Sequence, residues 1–331
     1  MEINFLELLQ SSKNLLAFSG GVDSTALFFI LQKQNIDFDI AIVDYNQRDQ
    51  SKDEVQYAKD LALKYNKKIY LKNYDKEKFS EKQARDFRYD FFEEIISKNS
   101  YNTLITAHQL NDKLEWLLMQ FTRGAGLNEL VGLEAVEQRK NYKLIRPILD
   151  KSKDELEEFL KDNDIKYFID ESNSDIKYKR NYFRKEFSDK LIKEYKYGIK
   201  NSFDYLQKDI NSLNNLYKSI LKKEDLSIYQ YNQDKNIAIK IIDKELKQRG
   251  ILLSSASRDE ILTQNEIVIS HKIAISIVED KIWIAPFLKN SMSKDFKEYC
   301  RVNKIPKNIR AYLGEIFKSK EEIKSLLKTV I

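Results

Sequence analysis

"LAFSGGVDST", residues 16–25, decides how this chain is read. A short apolar run stops at Ser19, two glycines follow, and a helical pattern begins near Ser24. A strand turning into a helix through Ser-Gly-Gly presents backbone N–H groups without intrahelical partners, together with the positive end of the helix dipole. Such a turn suits an anion, and glycines let the backbone approach a phosphate closely. Hydroxyls on Ser19, Ser24 and Thr25 add donors. The stretch therefore reads as a phosphate or pyrophosphate cradle made by Ser19, Gly20, Gly21, Val22, Asp23 and Ser24. It is neither a Walker A loop, which needs a lysine missing here, nor GxGxxG. On these residues alone, a glycine turn capped by Asp23 or Ser24 with no ligand stays open.

Around this turn the chain alternates short apolar runs with amphipathic stretches. "NLLAFS", "DIAIVDY", "KKIYLKNY" and "NTLITAH" predict strands, and "DSTALFFILQKQ", "SKDEVQYAKDLALKYN" and "EKQARDFRYDFFEEIISKN" predict the helices between them. That order implies an α/β fold with a doubly wound, mainly parallel sheet. Ligands of such sheets sit at the carboxyl ends of the strands. The opening turn, Asp44 with Tyr45, and His108 all fall there.

The 331 residues suggest two domains. Residues 1–190 read as the catalytic domain, 191–224 as a helical basic connector, and 225–331 as a smaller α+β domain. Lys+Arg 57 against Asp+Glu 52 is a mildly basic balance that decides little alone. No run of about 18 apolar residues exists and no signal peptide is visible, so a cytosolic protein without a membrane partner is expected. Cys300 is the only cysteine, which excludes disulfides within the chain, CxxC redox chemistry and cysteine-held zinc or iron–sulfur clusters.

In "HQLNDKLE", Asp112 and Glu115 lie three apart at a helix start, one face for both carboxylates, with His108 just before. Paired carboxylates beside a triphosphate suit Mg²⁺, and equally a cationic amine. An acidic first turn that only favours the dipole is the plainer alternative. Arg85 and Arg88 are three apart on the helix after the third strand, where an arginine can neutralise phosphate. "RGAG", residues 123–126, is first a helix C-cap signal. Residues 176–200 hold nine Lys/Arg against three Asp/Glu, and residues 281–331 hold twelve against five; both interleave aromatics. Basic charge with aromatics suits RNA, while a solvated lysine-rich surface whose aromatics face the core would look the same in sequence. His271 and Cys300 lack partners at useful spacing and read as structural.

"SGGVDS" resembles the pyrophosphate loop of the PP-loop ATP pyrophosphatase superfamily, which splits ATP between the α- and β-phosphates. "QARDFRY" (83–89), "AHQLNDKLEWLLMQFTRGAGLNELVGL" (107–133) and "IRPILDKSKDELEEFLKDNDIKYFIDESNSDIKYKRNYFR" (145–184) are similar to the tRNA(Ile)-lysidine synthases in particular. The likeness runs from residue 14 to about 187 and returns weakly in "KDFKEYCRVNKIPKNIR". It departs at Tyr45, where the family usually has histidine; Arg48, Ser51 and Glu54 follow as expected.

The resemblance implies ATP and Mg²⁺ as cofactors, with Ser19–Ser24, Asp44 and Arg85 on the nucleotide and Asp23 and Asp112 on the metal. It places His108, Asp112 and Glu115 at the reaction centre, and Arg123, Gly124, Arg180, Asn181 and Arg184 beside the substrate RNA. The implied partners are free L-lysine and a tRNA(Ile) with a CAU anticodon, read also by the C-terminal domain, and a homodimer is compatible. The implied reaction adenylates the wobble cytidine at C2 and replaces AMP with lysine, giving lysidine. Rival readings are a tRNA thiolase, which generally needs a cysteine pair or cluster; a small-molecule synthetase, which would not need two basic aromatic segments; and a non-catalytic RNA-binding protein.

Overall fold

The computed structural model describes residues 1–46, 50–74, 80–169, 177–317 and 322–324, and the chain divides into two units, Met1–Gln207 and Lys208–Ile331. Arg48 lies outside the described residues.

In the first unit, α1 (Leu6–Gln10) leads into β1 (Asn14–Ala17), α2 (Val22–Lys33), β2 (Phe38–Asp44), α3 (Gln50–Lys64), β3 (Ile69–Asn73), α4 (Glu81–Asn99) and β4 (Thr103–Ile105). Next come α5 (Leu110–Phe121), α6 (Leu127–Val131), β5 (Val136–Gln138), β6 (Lys143–Ile145) and α7 (Lys153–Asp162). The six strands are ordered β3-β2-β1-β4-β6-β5, all parallel except the β5–β6 pair. This is the α/β architecture the apolar runs imply. Leu15 and Leu16 of β1 are both fully buried, on opposite faces of the sheet, because helices cover both sides. Each such side chain contributes about 1.5–3 kcal/mol on leaving water. The strand order reverses at β1, so the loops after β1 and β4 flank the crevice where such sheets take ligands.

α8 (Lys179–Phe183) continues through a π-helical turn, Arg184–Ser188, into α9 (Asp189–Asn214). α9 docks on α5 through Ile192 and Phe203 against Leu110 and Leu114.

In the second unit, β7 (Tyr217–Lys223), β8 (Leu226–Tyr231), β9 (Glu266–Ile269), β10 (Ile273–Val278) and β11 (Lys281–Pro286) form an antiparallel sheet ordered β7-β8-β11-β10-β9. α10 (Lys235–Gln248) and α11 (Ser255–Gln264) pack on one face; α12 (Lys294–Val302) and α13 (Arg310–Ile316) pack on the other. The helical reading as far as residue 224 needs correction here: helix stops at Asn214, and Tyr217–Lys223 is a strand paired with β8. Glu224, with φ 49°, makes the tight turn that folds "YKSILKK" back as a hairpin, and cross-strand pairing outweighs the helix propensity of its lysines. His271 serves the β9–β10 turn, where both it and Ser270 have positive φ. Cys300 is buried, which pushes its thiol up to about 11.

Candidate active site

After β1 the backbone N–H of Phe18 still donates to Ala41 of β2, and the chain then turns at Gly20, whose φ of +77° favours glycine. A Cβ there would meet Glu54 at 3.4 Å and the Phe168 ring at 3.5 Å, so the turn is also close-packed. Phe168 N–H donates to Gly20 O at 3.0 Å, tying the segment after α7 to the loop. Gly21 caps α2 with no side chain to occupy the first-turn N–H groups. Ser24 Oγ accepts from Ser19 N–H at 3.2 Å and lies 3.0 Å from Ser19 Oγ. These bonds fix the loop and leave first-turn N–H groups of α2 without a side-chain cap.

Asp23 sits in the first turn of α2, and its Oδ1 is buried with no hydrogen-bond partner. Burial, reinforced by the Asp112 charge, raises its carboxyl to about 7. Asp112 is in the first turn of α5, where Oδ2 accepts Gln109 N–H at 3.1 Å, closing a capping box. Its Oδ1 accepts from Arg180 at 3.0 Å and Arg184 at 3.4 Å. Glu115, one turn further along α5 and 2% exposed, accepts from Arg184 Nε at 3.0 Å and from Arg180 Nε. Burial works against the Asp112 charge, but Arg180, His108 and Arg184 hold its carboxyl below the usual range. Burial wins at Glu115 and pushes its carboxyl up despite both arginines.

The i,i+3 carboxylates of α5 thus meet the i,i+4 arginines that end "KRNYFR", with Asn181 half-buried between them in sequence. The π-helical turn begins at Arg184 itself. Such turns are frequent at functional sites.

His108 follows β4, its Nδ1 3.0 Å from Thr106 Oγ1; burial lowers its imidazole to about 3, so the ring is neutral at physiological pH. Asp44 ends β2 and accepts Asn46 N–H at 2.8 Å. Arg85 is exposed, with its guanidinium 5.2 Å from the Tyr89 ring centroid. Arg88 bonds Tyr45, and its charge reaches His108. Tyr45 is half-buried and raised by that burial. Arg123 is exposed just beyond α5, and Gly124, with φ +73°, ends the helix.

Two cations near the site, one buried and one half-buried, escaped the sequence reading. Arg146, 2% exposed, donates to Glu134 O and to Glu137 at 3.1 Å, and its charge helps to keep His108 neutral. Lys153, at the start of α7, acts against the rise at Asp23. An arginine between the apolar strand "KLI" and Pro147 was the available signal for the first.

Trp116 of α5 donates from Nε1 to Glu129 O at 2.7 Å, fixing the loop that carries Arg123 and Gly124. A Cβ on Gly132 would sit 1.9 Å from that Nε1, and φ there is +57°. Gly132→Ala is therefore expected to expel the indole, shift Trp116 emission to the red and destabilise the fold by about 1–3 kcal/mol. Fluorescence and urea titration check this; unchanged emission would mean that the indole does not anchor the loop.

Of the two basic segments, the first leaves most of its aromatics on the surface: Tyr178, Tyr182, Phe187, Tyr195 and Tyr197 are exposed, and only Phe183 is buried. In the second, Trp283 is buried and Phe287, Phe296 and Tyr299 pack against the core. A kink at Tyr195 (φ −124°, ψ 24°) interrupts α9 just where Tyr195 and Tyr197 project.

A family model described as a PP-loop domain matches residues 1–191. Proteins named tRNA(Ile)-lysidine synthase are similar along nearly the whole chain. The one from Campylobacter jejuni is 45% identical, covering 97% of each chain, and the one from Helicobacter pylori is 43% identical, covering 93% of this chain and 91% of its own. Among solved structures, the U34-tRNA thiolase NcsA from Methanococcus maripaludis shares the fold, with TM-score 0.50 and 17% identity over 60% of this chain and 73% of its own. On its sequence relatives and its pyrophosphate loop, the chain belongs to the tRNA(Ile)-lysidine synthase family of PP-loop proteins.

Proposed function

We propose that this protein uses ATP to join free lysine to C2 of the wobble cytidine in the CAU anticodon of tRNA(Ile), giving lysidine, AMP and pyrophosphate. The observation that carries the chemistry is Asp23: a buried carboxylate oxygen without a partner, in the mouth of an anion loop and beside a second carboxylate. Such a group calls for a cation.

Among the described residues no three His, Cys, Asp or Glu side chains gather as a metal site. That fits Mg²⁺, which is commonly held by one or two carboxylates plus substrate phosphates. Asp23 and Asp112 would hold it, and when bound it would neutralise charge on the phosphates.

The loop from Ser19 to Ser24 binds the leaving pyrophosphate, with Asp44, Arg85 and Arg88 toward the rest of the nucleotide. The cytidine O2 attacks the α-phosphorus, the bond to pyrophosphate breaks, and the lysine ε-amine then attacks C2 and displaces AMP. The ammonium must first lose a proton. Glu115, a carboxyl raised by burial, is the better base of the pair on α5. Neutral His108 can donate or accept a hydrogen bond at the reacting centre without adding charge. Arg180, Asn181 and Arg184, with Arg123 and Gly124, border the RNA. The exposed tyrosines of the first basic segment support an RNA partner over a small molecule. A thiolase reading is disfavoured by chemistry, since Cys300 is the only cysteine.

Pyrophosphate release is expected only with a CAU transcript of tRNA(Ile), with lysine ending on that RNA, and not with a UAU transcript. Release without RNA would instead make the protein a small-molecule synthetase.

A further inference from the structure

The second unit carries a cleft of about 270 Å³ between its edge hairpin and α10. Its origin is a bulge in β7. Tyr217 and Ser219, two apart, share the face that looks at α10; simple alternation would put Leu221 there next. The register shifts between Ser219 and Leu221, so Leu221 packs on the opposite core and Lys222 turns toward the helix. Bulges re-aim side chains in this way and often lie beside functional sites. A lysine replaces a leucine on the inner face of a sheet.

From the helix, Ile241, Lys244 and Gln248 line the same cleft at i, i+3 and i+7. Lys222 Nζ contacts the buried carboxylate of Glu245 at 3.0 Å, a group that also accepts from Ser227, Tyr229 and Arg249. Lys244 and Ser219 are exposed. The wall is aromatic, with the Tyr217 and Tyr229 rings edge-to-face at 6.2 Å, and Tyr217 half-buried. The exposed ammonium of Lys244, that of Lys222 shared with Glu245, a hydroxyl and an amide around an accessible aromatic ring fit a phosphate attached to a flat base.

We propose that this cleft binds an unpaired nucleotide of the RNA substrate, its phosphate between Lys222 and Lys244 and its base against Tyr217. This site is separate from the basic carboxy-terminal stretch, whose aromatics are in the core, and it rests on the reading that the chain acts on RNA. The size is just below the usual range for ligand pockets, enough for part of one nucleotide and too small for a folded RNA element.

Filter binding of a tRNA(Ile) transcript to the full chain across salt concentrations tests it. Lys244→Ala should weaken binding and reduce the log–log salt slope by about one. Tyr217→Leu should weaken binding by about tenfold, while Tyr217→Phe should not. Turnover with saturating RNA should stay at the parent value in all three. If the parent binds RNA and Lys244→Ala and Tyr217→Leu bind it equally well, the cleft is not an RNA site, whereas the functional reading stands. If the parent binds no RNA, both readings fall. Displacement of the effect by free uridine monophosphate at micromolar levels would reassign the cleft to a free nucleotide and overturn the RNA contact.

Discussion

Asp23→Asn is expected to lose pyrophosphate release by on the order of 10²–10³-fold and, at the same time, to make the unliganded protein more stable. The two effects have one cause. Asp23 Oδ1 is buried without a partner and lies near a second carboxylate, so ionising it in the folded state is costly until a cation arrives. Its folded value near 7 lies above the ordinary aspartate value, so the folded state holds the proton longer than the unfolded chain does. This residue therefore lowers stability progressively as pH rises from about 4 to about 7, on the order of a few kcal/mol. His108 works in the opposite sense: its folded value of about 3 is below the unfolded one, so its contribution grows as pH rises to about 6.5. The parent's own pH profile mixes these, but the difference between the Asn variant and the parent isolates Asp23. That difference should be near zero at pH 4 and largest at pH 8. Urea titrations at both values decide it. A flat difference would mean that Asp23 is not a strained carboxylate awaiting a cation, and the metal assignment would go with it.

The parts of the fold legible in the sequence were those whose physics is local. β1, β2 and β4 are apolar runs because central parallel strands are largely buried on both faces, whereas β3 at the sheet edge is half-exposed, and each leads into polar residues at the carboxyl edge of the sheet. β5 was not legible: "VEQ" is a short, half-exposed edge strand with no apolar run to mark it. β7 was read as helix because its lysines suit either state, and only pairing with β8 and the turn at Glu224 make it a strand. The site divides in the same way. The loop from Ser19 to Ser24 was readable because its glycines and hydroxyls act through their own backbone. The union of Asp112 and Glu115 with Arg180 and Arg184 joins groups 65 to 72 residues apart, which no local pattern reports. One signal was present: two acids at helical spacing and, further on, two arginines at helical spacing, each pair fit to occupy the other.

That union sets the second large expectation. Arg184 is 20% exposed along its side chain and Glu115 is 2% exposed, so Arg184→Gln leaves a buried carboxylate with half of its compensation. Removing one partner from a buried pair costs about 3–5 kcal/mol. Glu115→Gln placed in the Arg184→Gln chain should return part of this, with a coupling of about 1–3 kcal/mol in a double-mutant cycle. Arg184→Lys should not rescue, because one ammonium cannot fork between Asp112 and Glu115 as a guanidinium does. In kinetics, Arg184→Gln should lower kcat through misplaced carboxylates more than it raises KM for RNA. An arginine that serves only as an RNA phosphate contact predicts the reverse: unchanged stability, no coupling to Glu115, rescue by lysine, and a loss confined to KM and to the salt slope. The cycle and the KM-against-kcat split therefore separate an arginine that positions the α5 carboxylates from one that merely attracts the substrate, and the geometry of the two acids on α5 against Arg180 of α8 and Arg184 of the π-helical turn commits to the first.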